Sequence, residues 1–148
     1  VAELVERVAA LLRPETTDRG IRLELDLADR DTYDVDPHQI EQVVLNVFRN
    51  AVDAIHRDGV MRAAMREGVL TITDSGPGIS ESARDQLFTP FFTTKREGRG
   101  LGLTIVQEIL ANHALPFSLQ NREGGGAEFV VSFVAPLPVP AARGEGGA

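Results

Sequence analysis

Residues 38–55 read HQIEQVVLNVFRNAVDAI, and two separate faces can be drawn on them. Ile40, Val43, Val44, Val47, Ala51 and Ile55 recur at helical spacing, which predicts an amphipathic helix with that stripe turned to a core. Asp36 stands ahead of it as an N-cap, with Pro37 at a first position where a missing N–H costs nothing, and the helix is expected to run to about His56. On another face Asn46, Asn50, Asp53 and Arg57 follow at i, i+4, i+7 and i+11. Asn and Asp are poor residues for a helix interior, because their side chains compete for backbone hydrogen bonds. These residues alone leave two readings open: a solvated polar face, or a set of oxygen ligands of the kind Mg²⁺ accepts alongside phosphate oxygens and water. Glu and Lys would serve a solvated face better, which tilts the balance modestly toward the second.

Upstream, VAELVERVAALLR (1–13) places Leu4, Val5, Val8, Leu11 and Leu12 at helical spacing opposite Glu3, Glu6 and Arg7, and Pro14 sits near the end of that pattern. After Gly20, IRLELDL (21–27) alternates as a half-buried strand does, and residues 31–35 are expected to form a short second strand. Downstream, Asp58-Gly59 marks a turn before two strands, VMRAAM (60–65) and GVLTIT (68–73), joined at Glu67-Gly68. DSGPGIS (74–80) reads as a loop, Ser80 as the cap of a short helix ESARDQL (81–87), and a further helix is expected from about Leu101 to His113. FSLQN (117–121) and AEFVVSFVA (127–135) are the last strands, joined across Gly124, Gly125 and Gly126. This order predicts an α+β, two-layer sandwich with helices on one face of a mixed sheet.

The bulk properties exclude several classes. A 148-residue chain with 43% hydrophobic residues has the material for one domain with a real core. A net charge of −7 argues against a nucleic-acid or anionic-membrane surface built on bulk electrostatics, though not against a local basic pocket for phosphates. Cysteine is absent, and His38, His56 and His113 are too scattered for a zinc site. With no run of 18 apolar residues and no signal-peptide pattern, a soluble, cytoplasmic protein is expected. The chain starts at Val1 inside a helical pattern, so a fragment of a longer protein is expected.

Two more stretches break local rules. In DSGPGIS, Asp74 directly follows an apolar strand, and Gly76 and Gly78 remove side chains so that something flat can approach the backbone. A desolvated carboxylate there can accept from the exocyclic amine of adenine; the same residues also make an ordinary Asp-Ser-Gly-Pro turn, the better reading of that stretch taken alone. In FFTTKREGRGLGL (91–103), Gly98, Gly100 and Gly102 lead into a helix, with Lys95, Arg96 and Arg99 as nearby cations. Free amides at such a helix start can hold phosphate oxygens, although neither a Walker loop nor the dinucleotide fingerprint is present.

In order and spacing these stretches resemble the catalytic, ATP-binding domain of bacterial sensor histidine kinases, the nitrogen-regulation type above all. That domain belongs to a wider ATPase superfamily with type II topoisomerases, MutL and the large heat-shock chaperone. HQIEQVVLNVFRNAVDAI is similar to the family's asparagine box, DSGPGIS to its first glycine box, and LFTPFFTTK (87–95) to its phenylalanine box. GRGLGLTIVQEIL (98–110) is similar to the second glycine box and GGGAEF (124–129) to the terminal glycine motif. The likeness runs from about Val1 to Leu137 and implies a Bergerat-type ATP-binding fold over residues 1–137, with a mobile ATP lid. The Pro/Gly/Ala-rich residues 138–148 form an expected disordered tail.

The resemblance implies Mg²⁺ and ATP as cofactors, with Asn50 as metal ligand, Asn46 beside it near the phosphates and Arg49 as a phosphate contact. Asp53 would support the base pocket, and Asp74 would read adenine across the approach cleared by Gly76 and Gly78, with Ile79 at the end of that box. Phe92, Thr93, Thr94 and Lys95 fall at the lid hinge; Arg99, Gly100, Leu101, Gly102 and Leu103 fall where the phosphates are held. No general base is assigned. The resemblance further implies phosphoryl transfer to a histidine on a separate dimerisation domain, a response regulator as partner, and a monomeric fragment of a homodimeric parent. His38, His56 and His113 lack the flanking pattern of a phosphoacceptor. Departures from the family pattern are Ala127 where Thr is usual, His113-Ala114-Leu115 where His-Gly-Gly is frequent, and a short connection from Asp53 to Asp74 expected to trim a strand or hairpin. The alternatives within the superfamily are a closure ATPase and an anti-sigma-type serine kinase. The first relies on a Glu where this chain has Asn46; the long phenylalanine box speaks against the second.

Overall fold

The computed structural model describes residues 1–79 and 102–134. Its elements are α1 (Ala2–Asp18), β1 (Arg22–Leu27), α2 (Pro37–Ile55), β2 (Val60–Arg66), β3 (Val69–Asp74), α3 (Gly102–Asn112), β4 (Phe117–Asn121) and β5 (Ala127–Ser132). Five strands make one open sheet in the order β1-β2-β3-β5-β4. The β1–β2 pair is parallel and the other three are antiparallel, so the sheet is mixed and mostly antiparallel, as expected.

Alternation along the strands decides which face is covered. Leu23, Met61, Ala63, Met65, Leu70, Ile72, Phe129 and Val131 are buried, and they meet Val5, Val8 and Leu12 of α1, Val43, Val44 and Phe48 of α2, and Val106 and Leu110 of α3 in one core. The opposite face carries charge: Arg62 and Arg66 both bond to Asp26, and Arg22 bonds to Glu24. Exposed pairs of this kind contribute little to stability and keep that face in water.

The start of α2 follows the sequence closely. Asp36 is its N-cap, with its carboxylate accepting from the N–H groups of His38 (2.9 Å) and Gln39 (3.2 Å). The Glu67-Gly68 turn has φ of 49° and 81°, the pair of left-handed residues a two-residue type I′ hairpin needs. The short Asp53–Asp74 connection thus holds a complete hairpin, paired from Met61↔Asp74 to Arg66↔Val69; nothing is trimmed.

Three expectations are corrected. Helix α1 does not stop near Pro14 but runs through it to Asp18. The proline removes one N–H from the ladder, yet the following turn buries Thr16, whose hydroxyl donates to the Arg13 carbonyl (3.1 Å). Residues 31–35 form no strand. Their polar groups turn inward on Asp29, whose carboxylate accepts from the Asp31 N–H (2.8 Å), the Tyr33 hydroxyl (2.6 Å) and the Gly68 N–H (2.6 Å). Arg57 is not on the α2 face, because the helix ends at Ile55 and His56 caps it at φ 68°. The expected helix 81–87, the lid and the tail 138–148 lie outside the described residues.

Candidate nucleotide site

The site forms where β3, the β4–β5 hairpin and the last turns of α2 meet. Asp74 closes β3 on the helix-facing side, opposite Met61, and is only 7% exposed. Its carboxylate accepts from the N–H groups of Gly76 (2.8 Å) and Ala127. Burial pushes the carboxyl above its usual range, against the pull of those two N–H groups and the Arg122 charge. Arg122 also donates to the Asp74 carbonyl (3.4 Å). The result is a dry acceptor at a strand end.

The surrounding backbone is packed too tightly for side chains. Gly126, at φ 88°, would place a Cβ 1.8 Å from the Asp74 carbonyl oxygen, so only glycine permits β5 to start there. Gly76 brings its backbone against α2: a Cβ on it would lie 3.0 Å from the Ala54 carbonyl carbon and oxygen. The glycine loop therefore abuts the turn of α2 that carries Asp53. Ser75 anchors the near side, its N–H donating to the Val60 carbonyl (3.0 Å) and its hydroxyl accepting from the Val60 N–H (2.9 Å).

Along α2, Asn46 and Asn50 are half-buried and Asp53 and Arg49 exposed. The Asn46 side-chain nitrogen is buried, with no hydrogen-bond partner among the described residues. Leaving a donor so costs about 1–3 kcal/mol, a cost a ligand oxygen would remove. Arg49 points toward α1, with Nη1 3.9 Å from Glu15. Helix α3 packs on α2, and its end is bolted to the start of α2: the Asp36 N–H donates to His113 Nε2 (3.1 Å), while His113 Nδ1 bonds the Ile109 carbonyl (2.9 Å). An 11-residue helix spans about 16 Å at 1.5 Å per residue, so from that end α3 runs back along α2 for about three turns. Leu103 is half-buried in its first turn.

Of the expected site residues, Asp74, Gly76, Gly78, Ile79 and the Asp53 turn come together at one end of the sheet, while Asn50 and Asn46 lie about one and two turns further back along α2. Phe92, Thr93, Thr94, Lys95, Arg99, Gly100 and Leu101 lie outside the described residues. Sequence reasoning missed Ser75, Asn121, Arg122 and His113 as parts of the frame. Ala127 stands in register with Asn121, next to Asp74; where the resemblance implies a lost hydroxyl, its N–H still serves the carboxylate.

Among the described residues no helix is long and apolar enough to cross a membrane. Residues 35–138 match the family described as histidine kinase-, DNA gyrase B- and HSP90-like ATPase. The sensor histidine kinase ZraS of Escherichia coli K12 is 36% identical over 133 residues, covering 86% of this chain and 29% of ZraS. The chain thus spans less than a third of that relative's length. The nucleotide-free catalytic domain of histidine kinase ThkA superposes with a TM-score of 0.76 at 28% identity, covering 88% of this chain and 90% of that one. ThkA in complex with the response regulator protein TrrA gives a TM-score of 0.69 at 25% identity, over 88% of this chain and 39% of that one. The chain belongs to the histidine kinase-, DNA gyrase B- and HSP90-like ATPase family, on the branch of sensor histidine kinase catalytic domains.

Proposed function

We propose that residues 1–137 bind Mg·ATP between α2, the 74–79 loop and the start of α3, and donate the γ-phosphoryl group to a histidine on a separate dimerisation domain. The observation that carries this reading is the buried carboxylate of Asp74, followed by a glycine whose backbone lies against the last turns of the helix that carries Asn46 and Asn50. A dry acceptor selects a base with an exocyclic amine, since a base lacking the donor leaves that acceptor unpaired.

Asn50, with Asn46 one turn before it, offers amide oxygens of the type Mg²⁺ takes alongside phosphate oxygens and water. Bound there, the metal would neutralise charge on the phosphates. Phosphoryl transfer otherwise demands positioning and charge stabilisation more than covalent work. This chain contributes the purine clamp at Asp74 and Gly76, the amide face of α2, and the helix start at Gly102, whose free N–H groups favour anions. Lys95, Arg99, Gly100 and Leu101 complete the phosphate contacts in this reading, with Thr93 and Thr94 at the hinge. A response regulator receives the phosphoryl group next, supported by the relatives' names and by the ThkA–TrrA complex. The reading places the domain in the cytoplasm, where ATP is available. Asn46 in place of a water-activating Glu disfavours self-hydrolysis.

The test is calorimetric titration with a non-hydrolysable ATP analogue, with and without Mg²⁺. The expected result is Mg²⁺-assisted binding that weakens about 10- to 100-fold in Asp74→Asn, the value of a hydrogen bond to a charged acceptor. Absence of binding to the unaltered chain would overturn the reading.

A further inference from the structure

We propose that Asn121 is a positioning residue for the adenine-reading loop. This rests on the functional reading above and goes beyond it. The loop leaves β3 at Asp74 and must cross the end of the sheet without a strand partner. Asn121, the last residue of β4, supplies one with its side chain: Oδ1 accepts from the Ile79 N–H (2.6 Å) and Nδ2 donates to the Ile79 carbonyl (2.9 Å). A carboxamide is the same planar donor–acceptor pair as a peptide group, so one side chain satisfies both backbone groups of Ile79 as a neighbouring strand would. Only Asn and Gln carry that pair, and Gln is one methylene longer.

The residue before the clamp is shaped by it. Gly78 has φ 86°, and a Cβ there would lie 2.8 Å from Asn121 Oδ1. The positive φ favours glycine at 78 independently of any bound nucleotide, and a side chain there would also push the Asn121 carboxamide off Ile79. With Ser75 tied to Val60 and Ile79 tied to Asn121, the five residues 75–79 are held at both ends. Gly76 is then kept against Ala54 and its N–H on Asp74. Holding a binding loop in its bound shape removes an ordering cost from association. Asn121 does this from the sheet side, through Ile79.

The experiment uses the full chain with Asn121→Ala, Asn121→Asp and Asn121→Gln, titrated with ATP and GTP in Mg²⁺, with the Ile79 amide exchange rate followed by NMR. Asp keeps the acceptor but turns a second acceptor on the Ile79 carbonyl; Gln keeps both groups at longer reach. The expected result is faster Ile79 exchange and about a tenfold loss of ATP affinity in Asn121→Ala and Asn121→Asp, a reduced ATP-over-GTP preference, and partial recovery in Asn121→Gln. A purely structural role would lower melting temperature without changing the preference between bases. Unchanged affinity and preference in Asn121→Asp, or a still-protected Ile79 amide in Asn121→Ala, would overturn the proposal. Should Asn121→Ala not fold, the Asp and Gln variants decide. Failure of the unaltered chain to bind ATP would instead remove the functional reading.

Discussion

Two aspartates stand at opposite ends of the sheet and are treated in opposite ways. Asp29, just past β1, spends its carboxylate on three donors, and hydrogen bonding, the Tyr33 hydroxyl first, holds it below the usual carboxylate range. The same bond pushes the Tyr33 phenol up to about 12. Asp74, at the end of β3, has two backbone N–H groups and little water, and burial pushes it up. One carboxylate is consumed in closing the chain on itself; the other is desolvated and, in the proposed reading, kept as an acceptor for a nucleotide base. A polar group that stabilises a fold is saturated and content with its charge, whereas one reserved for a ligand costs the empty fold something.

The largest stability effect is expected from Asp29→Ala, which strips partners from Gly68, Asp31 and Tyr33 together. Because the folded-state pKa is lowered from 3.8, the contribution of Asp29 is complete above that value and disappears as pH falls through the lower folded value. The gap in urea midpoint between the parent chain and Asp29→Ala should therefore be widest near neutrality and close in acid; a gap independent of pH would break the comparison. His113→Ala removes another saturated group, with one hydrogen bond back onto α3 and one joining the end of α3 to the start of α2, and should cost about 1–2 kcal/mol in denaturant melts.

Asp74→Asn sharpens the contrast by reversing the sign. The folded-state pKa is raised, so the protonated form is the one the empty fold favours. Its stabilising contribution is present below 3.8 and lost as pH rises through the raised value. At pH 7 the empty Asn variant should melt no lower than the parent, with its relative advantage fading in acid, while its nucleotide affinity falls. A clear loss of stability at pH 7 would place Asp74 with Asp29. The smallest effect belongs to Glu67→Asn in the turn whose Gly68 N–H Asp29 holds. Asn tolerates φ 49° better than Glu, and a gain of about 0.5 kcal/mol is expected by denaturant unfolding.

The parts legible in the sequence are those whose signals are local. The α2 stripe has a period, Asp36-Pro37 is a cap read off two residues, and Asp74 follows an apolar strand directly. The rest depends on meetings across the chain. Residues 31–35 look extended until Asp29 reaches Gly68, 39 positions away. Asn121 is an unremarkable strand-end residue until it meets Ile79, 42 positions back. His113 looks like a plain helix-end residue, yet its ring supplies an acceptor to the Asp36 N–H, 77 positions earlier. In a capping box that N–H would turn to the N3 side chain, here Gln39; nothing near Asp36 announces a partner from another helix.

The parallel pairing of β1 with β2 also has a kinetic meaning. Arg22 faces Val60 and Leu27 faces Met65, so this seam closes only after all of α2 lies between its two halves. The β2–β3 hairpin closes around two residues, an event of about 1–10 μs in isolation. Entropy must be lost over the long loop before the parallel seam returns any contact. Refolding should therefore grow outward from the hairpin, with Leu23→Ala in β1 giving a φ-value near zero and Ile72→Val in β3 a high one. The edge that forms last would also be the first to open, so amide exchange should be faster in β1 than in β3.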